Sequence, residues 1–296
     1  MILSQPCESV KQTRRIQDSG LRYNANMVRS GHLPDADRLS VLAAMILLAY
    51  ALTRFIQLPA REVGIQLPGF YLAVEVNIRA IVALLVGGLT ASGADLLLQS
   101  HPGFKGKKTF EHWLLPGLTA WVIGVPLYQL PLGPEWFASF ILGGALLMMV
   151  LIAEYIAIDP DDFRYTPASA GLTAVSFSLY LILIIAIRSA DPRLFLILPA
   201  VTFCAGLVSL RALHLRLRGR WVLFPAIALA LIIAQLTAAL HYWPISPLAF
   251  GLALLGPTYA LTSLIGALAE GIPLRRALLE PVLVLIVVWG TALWIS

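Results

Sequence analysis

Charge is the scarcest property of this chain. Only 12% of its 296 residues are Asp, Glu, Lys or Arg, against about a quarter in a soluble globular domain. With 59% hydrophobic residues and a mean hydropathy of +0.83, a water-soluble fold is excluded. Cysteine is almost missing as well: Cys7 lies in a polar segment and Cys204 in an apolar run, so no disulfide framework is available. The motifs of known chemistry are absent. There is no His-Glu-x-x-His, no Gly-x-Ser-x-Gly, no phosphate-cradling glycine loop and no haem-attachment motif. The Asp-x-x-x-Asp pairs that intramembrane prenyltransferases need are missing too, because the acids around Asp159 are spaced differently. No motif requires a cofactor. The start, Met-Ile-Leu-Ser-Gln-Pro-Cys, has no apolar core ahead of a small-residue cleavage site, so the first apolar run is expected to serve as an uncleaved anchor.

What is present is a series of long apolar runs, each of about 16 to 28 residues, the length that crosses a hydrocarbon core of about 30 Å as a helix. Because the runs are continuous rather than alternating, helices and not barrel strands are the expected spanning elements. Nine runs are readable: Leu39 to Leu58, Phe70 to Leu97, Leu114 to Leu130, Trp136 to Ile158, Gly171 to Ile187, Leu194 to Leu215, Trp221 to Trp243, Leu248 to Ala269 and Pro281 to Ile295. The expected fold is an all-α, polytopic transmembrane helical bundle (39–296) behind a polar, basic N-terminal tail (1–38). The third run carries Pro116, Gly117, Gly124 and Pro126 and the ninth is short, so these two test the count.

The net charge of +5 fits topology better than nucleic acid, since the basic residues are spread over short connections without interleaved aromatics. Lys105, Lys107 and Lys108 share one loop after the second run. If that side is cytoplasmic, sixteen of the twenty-one Lys and Arg residues fall on the inside. This arrangement predicts a cytoplasmic N-terminus, an outer C-terminus and residence in the inner (cytoplasmic) membrane.

Few ionisable groups lie within the runs, and an ionisable group in a membrane helix is a functional candidate until it finds a partner. Asp95 ends a row of small residues, Gly88, Ala91 and Ser92, at helical spacing, and Glu154 lies about one turn inside the same face. With His101, Glu111 and His112 these acids could form a hydrated pocket able to hold a divalent cation, or simply pair at the interface. Glu75 and Arg79, four apart, read as an ion pair on one helix, with Arg54 completing an outer network. Gly256-Pro257-Thr258 interrupts the eighth run, either as a kink or as the broken helix of a transport site. His214 and His241 are isolated histidines, a weak basis for a pigment or haem ligand.

The interior thus offers packing rows and almost no midplane charge, which favours a non-catalytic subunit or scaffold of a larger membrane assembly. Its expected partners are membrane lipids and other membrane-protein subunits. A small-molecule or lipid transporter using Pro257, and a lipid-modifying enzyme at Asp95 and Glu154, are the alternatives.

Overall fold

A computed structural model of the chain describes residues 36–53, 61–67, 70–76, 78–99 and 110–295, with the backbone alone for 53, 61–67, 70–76, 78–81, 83–84, 110–111, 125–126 and 128–129. In chain order the elements are α1 (Ala36–Thr53), β1 (Arg61–Leu67), β2 (Phe70–Val76), α2 (Ile78–Gln99), α3 (Phe110–Gln129), α4 (Pro134–Ile156), α5 (Tyr165–Ser189), α6 (Leu194–Arg216), α7 (Leu223–His241), α8 (Pro247–Ala269), α9 (Leu274–Ala277) and α10 (Leu279–Ile295). Among the described residues, six segments are long and apolar enough to cross a membrane: α4, α5, α6, α7, α8, and α9 with α10 taken together. The protein is therefore a helical membrane protein.

The second apolar run differs from the sequence expectation. Its first part, Phe70–Val76, is a strand paired antiparallel with Arg61–Leu67, in a register that sets Leu67 opposite Phe70 and Glu62 opposite Glu75. The helix begins only at Ile78. Glu75 and Arg79 therefore belong to different elements, and the shared helix face expected for them does not exist. The physical reason is local: Phe70-Tyr-Leu-Ala-Val-Glu-Val76 is rich in β-branched and aromatic residues, and it follows Pro68-Gly69, a turn-forming pair in the sequence. Arg54, His101 and the basic tail up to residue 35 lie outside the described residues. The third run, despite its prolines, is a continuous helix.

Three apolar clusters hold the helices together. One joins α1 to α4 through Ile46, Leu98, Ile123 and Leu147. A second joins α5 to α8 through Tyr180, Val201, Ile233 and Phe250. The third, with Leu115, Val150, Leu172 and Leu215, is the seam between these halves. Close approach inside the first half depends on glycine: a Cβ on Gly143 would stand 2.6 Å from Ile123 Cγ2. Without a hydrophobic force separating helix from lipid, such tight van der Waals packing is what associates membrane helices. In the expected row on α2, Ala91 does face α3, near Gly117, but Gly88 and Ser92 are exposed and Gly87 makes the close contact instead.

The interruption in the eighth run is not a break. α8 is continuous through Pro257, which lacks an N–H and so frees the carbonyl of Ala253 one turn earlier. The indole Nε1–H of Trp289 on α10 donates to that carbonyl at 3.1 Å. Gly256 lets α10 approach, because a Cβ there would stand 3.2 to 3.3 Å from Trp289, Leu285 and Val288. Gly-Pro on α8 and Trp289 on α10 thus form one interlocking joint.

Candidate functional site

At one end of the seam, three helices bring a carboxylate, an imidazole and a guanidinium together. Glu154, in the last turn of α4, is 0% exposed, and Arg211, on α6, is 4% exposed. The Arg211 Nη2 group donates to Glu154 Oε2 in a short charge-assisted bond. His112, in the first turn of α3, places Nδ1 2.7 Å from the same oxygen. That distance assigns the Nδ1 proton to a bond with the carboxylate, so Arg211 Nη2, 3.3 Å from Nδ1, is a neighbour and not a second bond. These bonds bring the start of α3 and the ends of α4 and α6 to one end of the helical bundle. A buried carboxylate bonded to a guanidinium is tolerated where an isolated charge would not be.

The neighbouring residue on α3 serves the other acid. Trp113 Nε1–H donates to Asp95 Oδ1 at 2.9 Å, and Gln99 donates to Asp95 Oδ2 at 2.6 Å. His112 and Trp113 therefore hold the N-terminal turn of α3 between two carboxylates, where the helix dipole favours negative charge. Asp95 and Glu154 have separate partners in this arrangement. Among the described residues, no group of three or more His, Cys, Asp and Glu side chains is placed to hold a metal ion.

Three atoms of the cluster, Glu154 Oε1, Arg211 Nε and Arg211 Nη1, are buried without a hydrogen-bond partner among the described residues. They mark a polar spot in an otherwise apolar seam, suited to ordered water or a small polar group. Chemically, a carboxylate bonded to Nδ1 orients the imidazole and leaves Nε2 as the proton acceptor.

A second ionic joint lies at the same end of α6. Arg216 grips Glu270 through Nε and Nη2 at 2.8 and 3.1 Å, and its Nη1 donates to the Ser263 carbonyl at 3.1 Å. Gly271, at φ +80°, ends α8 in a left-handed turn that presents Glu270, with Ile272 N–H donating to the Ala267 carbonyl at 3.0 Å. The Arg216 guanidinium beside Glu270 holds that carboxyl below its ordinary range.

Thr258, in the third sequence-derived site, bonds back to Leu254 O at 2.7 Å and meets the Tyr180 hydroxyl at 3.1 Å, both inside the packed second half. The histidines His214 and His241 stand near opposite ends of α7, the first against Trp221 with ring centroids 4.6 Å apart. Arg211 is the member the sequence reading passed over. Its signal was depth: it lies more than a helical turn further into the apolar run than Arg216, Arg218 and Arg220.

Residues 58–295 match a family described as protein of unknown function (DUF5656), and the chain belongs to that family. Neither the curated proteins nor the solved structures contain a match.

Proposed function

We propose that this DUF5656 member is a non-catalytic subunit or scaffold of a larger membrane assembly. The observation that carries the reading is the Trp289–Ala253 joint. The carbonyl freed by Pro257, which a transport site would use to hold its cargo, is instead capped by a neighbouring helix. The hydroxyls of Thr119, Ser176, Thr237 and Thr258 support it, each bonding the carbonyl one turn back on its own helix. The last helices add a docking face: along Leu274–Ile295 only Ala277, Pro281 and Ala292 are buried, and Leu279, Leu283, Ile286 and Trp294 point outward.

In this reading α1, α2 and α3 also span. Their 18, 22 and 20 residues give about 27, 33 and 30 Å at the helical rise per residue. Nine crossings follow, with the N-terminus cytoplasmic, the C-terminus outside, the strand pair on the outer face and the ionic cluster on the inner face of the cytoplasmic membrane. The test is mild-detergent purification with crosslinking. Stoichiometric membrane-protein partners captured through α10, and lost on Leu283→Arg with Ile286→Arg, are the expected result; a monodisperse, partner-free protein refutes it. Reporter tags at the two chain ends should emerge on opposite sides.

A second reading rests on one observation, the three unpartnered atoms of the Glu154–Arg211 pair. They suit a lipid-modifying site in which His112 is the base and Arg211 holds an anionic headgroup. Replacing both charges by apolar residues separates the readings: a scaffold keeps its partners, whereas an enzyme loses turnover.

A further inference from the structure

We propose that the groove between α4 and α5 is a lipid site, taking one acyl chain of a zwitterionic phospholipid whose phosphate rests on Arg164 and whose ammonium group faces Asp161 and Asp162. This inference does not depend on the scaffold reading. The groove has a volume of about 720 Å³ and is walled by Met148, Met149 and Ile152 on α4 and by Pro167, Gly171 and Val175 on α5. Among the described residues, Arg164 is the one charged residue on its lining. Its length follows from the helix geometry. The lining runs from Ala145 to Ile156 and from Arg164 to Val175, eleven steps on each helix, or about 16 Å. That is about half of the roughly 30 Å hydrocarbon core, the reach of one leaflet from its headgroup level inward. A groove of one-leaflet length with its only charge at the interfacial end matches a chain entering from that leaflet. The two methionines are unbranched and adapt to an irregular chain.

The charge around the interfacial end selects the headgroup. The connection from α4 to α5 carries Asp159, Asp161 and Asp162 against a single Arg164. Asp162 Oδ1 accepts the Arg164 backbone N–H at 2.9 Å, which holds the acid at the start of α5 where Arg164 stands. Within this connection an anionic headgroup would find one cation among three acids. A headgroup with both signs places its phosphate on the guanidinium, which favours phosphate oxygens, and its ammonium on the carboxylates.

The position of Gly171 supplies the test, because a Cβ built there meets nothing within 4 Å. Gly171→Phe therefore starts its side chain in open space, projects a ring into the groove and removes a helix-weakening glycine. Detergent-solubilised protein is titrated with phosphatidylethanolamine and with phosphatidylglycerol of identical chains, and adducts are counted by native mass spectrometry. The wild type is expected to retain phosphatidylethanolamine at roughly fivefold lower lipid concentration than phosphatidylglycerol, the factor of about one interfacial charge contact. Gly171→Phe, and Ala145→Phe from the opposite wall, lose that retention while keeping wild-type helicity and melting temperature. Asp161→Asn with Asp162→Asn keeps an adduct but loses the preference. Unchanged retention in a folded Gly171→Phe or Ala145→Phe protein, or a wild-type preference for phosphatidylglycerol, overturns the proposal.

Discussion

Removing Arg211 alone should damage this protein more than removing Arg211 and Glu154 together. Glu154 is fully buried, and its Oε2 takes hydrogen bonds from both Arg211 and His112. Replacing Arg211 by Met leaves a carboxylate in an apolar seam with only an imidazole beside it, and replacing Glu154 by Leu strands a guanidinium. Breaking one side of a buried pair costs about 3–5 kcal/mol. If the two effects were independent, the double variant would lose about 6–10 kcal/mol. Apolar replacement of both members removes both desolvated charges, so the double variant should fall within about 1–2 kcal/mol of wild type. The coupling energy is then several kcal/mol, far above the roughly 0.5 kcal/mol scatter of independent sites. His112→Phe, which removes one bond and leaves the pair, should cost about 1–3 kcal/mol. The measurement is equilibrium unfolding of the five proteins in one detergent, followed by far-ultraviolet circular dichroism. Additive losses would refute the argument that the seam is locked by a mutually dependent pair.

The α8–α10 joint makes a comparable prediction: Trp289→Phe should cost about 0.5–1.5 kcal/mol in the same unfolding assay. Pro257→Ala restores the N–H that can reach the Ala253 carbonyl, so in that background Trp289→Phe should be nearly silent. Gly266→Ala places a Cβ 2.6 Å from Arg216 Cδ and should release the Arg216–Glu270 joint, seen as faster amide exchange at the end of α8. That joint also sets a pH dependence. The carboxyl of Glu270 is depressed by Arg216, so its stabilisation is present above the ordinary carboxylate range and is lost as pH falls through the lower folded value. Melting temperature should drop on acidification in the wild type, and Glu270→Gln should flatten the drop.

How much of this was legible in the chain depends on what each signal measures. Apolar run length reports membrane crossing, and it located the helices from α3 onward because their ends coincide with prolines and charges such as Pro134 and Arg216. The same measure failed at Phe70–Val76, where a strand as apolar as the following helix merges with it. The period-two pattern in Arg61–Leu67 and the Pro68-Gly69 pair carried the information that hydropathy ignored. Glu154 and His112 were identifiable as unusual residues near a span end, but their partnership crosses 42 positions and that of Glu154 with Arg211 crosses 57. Spacing along a chain cannot encode such a meeting; only the packing of α3, α4 and α6 around the seam does. Similarly, Pro257 announced a freed carbonyl, and nothing near it announced that Trp289 would cap it.

The capping has a consequence for biogenesis. While the chain is being made, α8 must enter the bilayer before Trp289 exists, so its proline leaves the Ala253 carbonyl bare among lipid tails or bound to a carried-in water. Synthesis of the final helix is then the event that dehydrates α8. Chains shortened before residue 289 should linger with the translocation machinery and be cleared by membrane proteases, even though every earlier helix is intact.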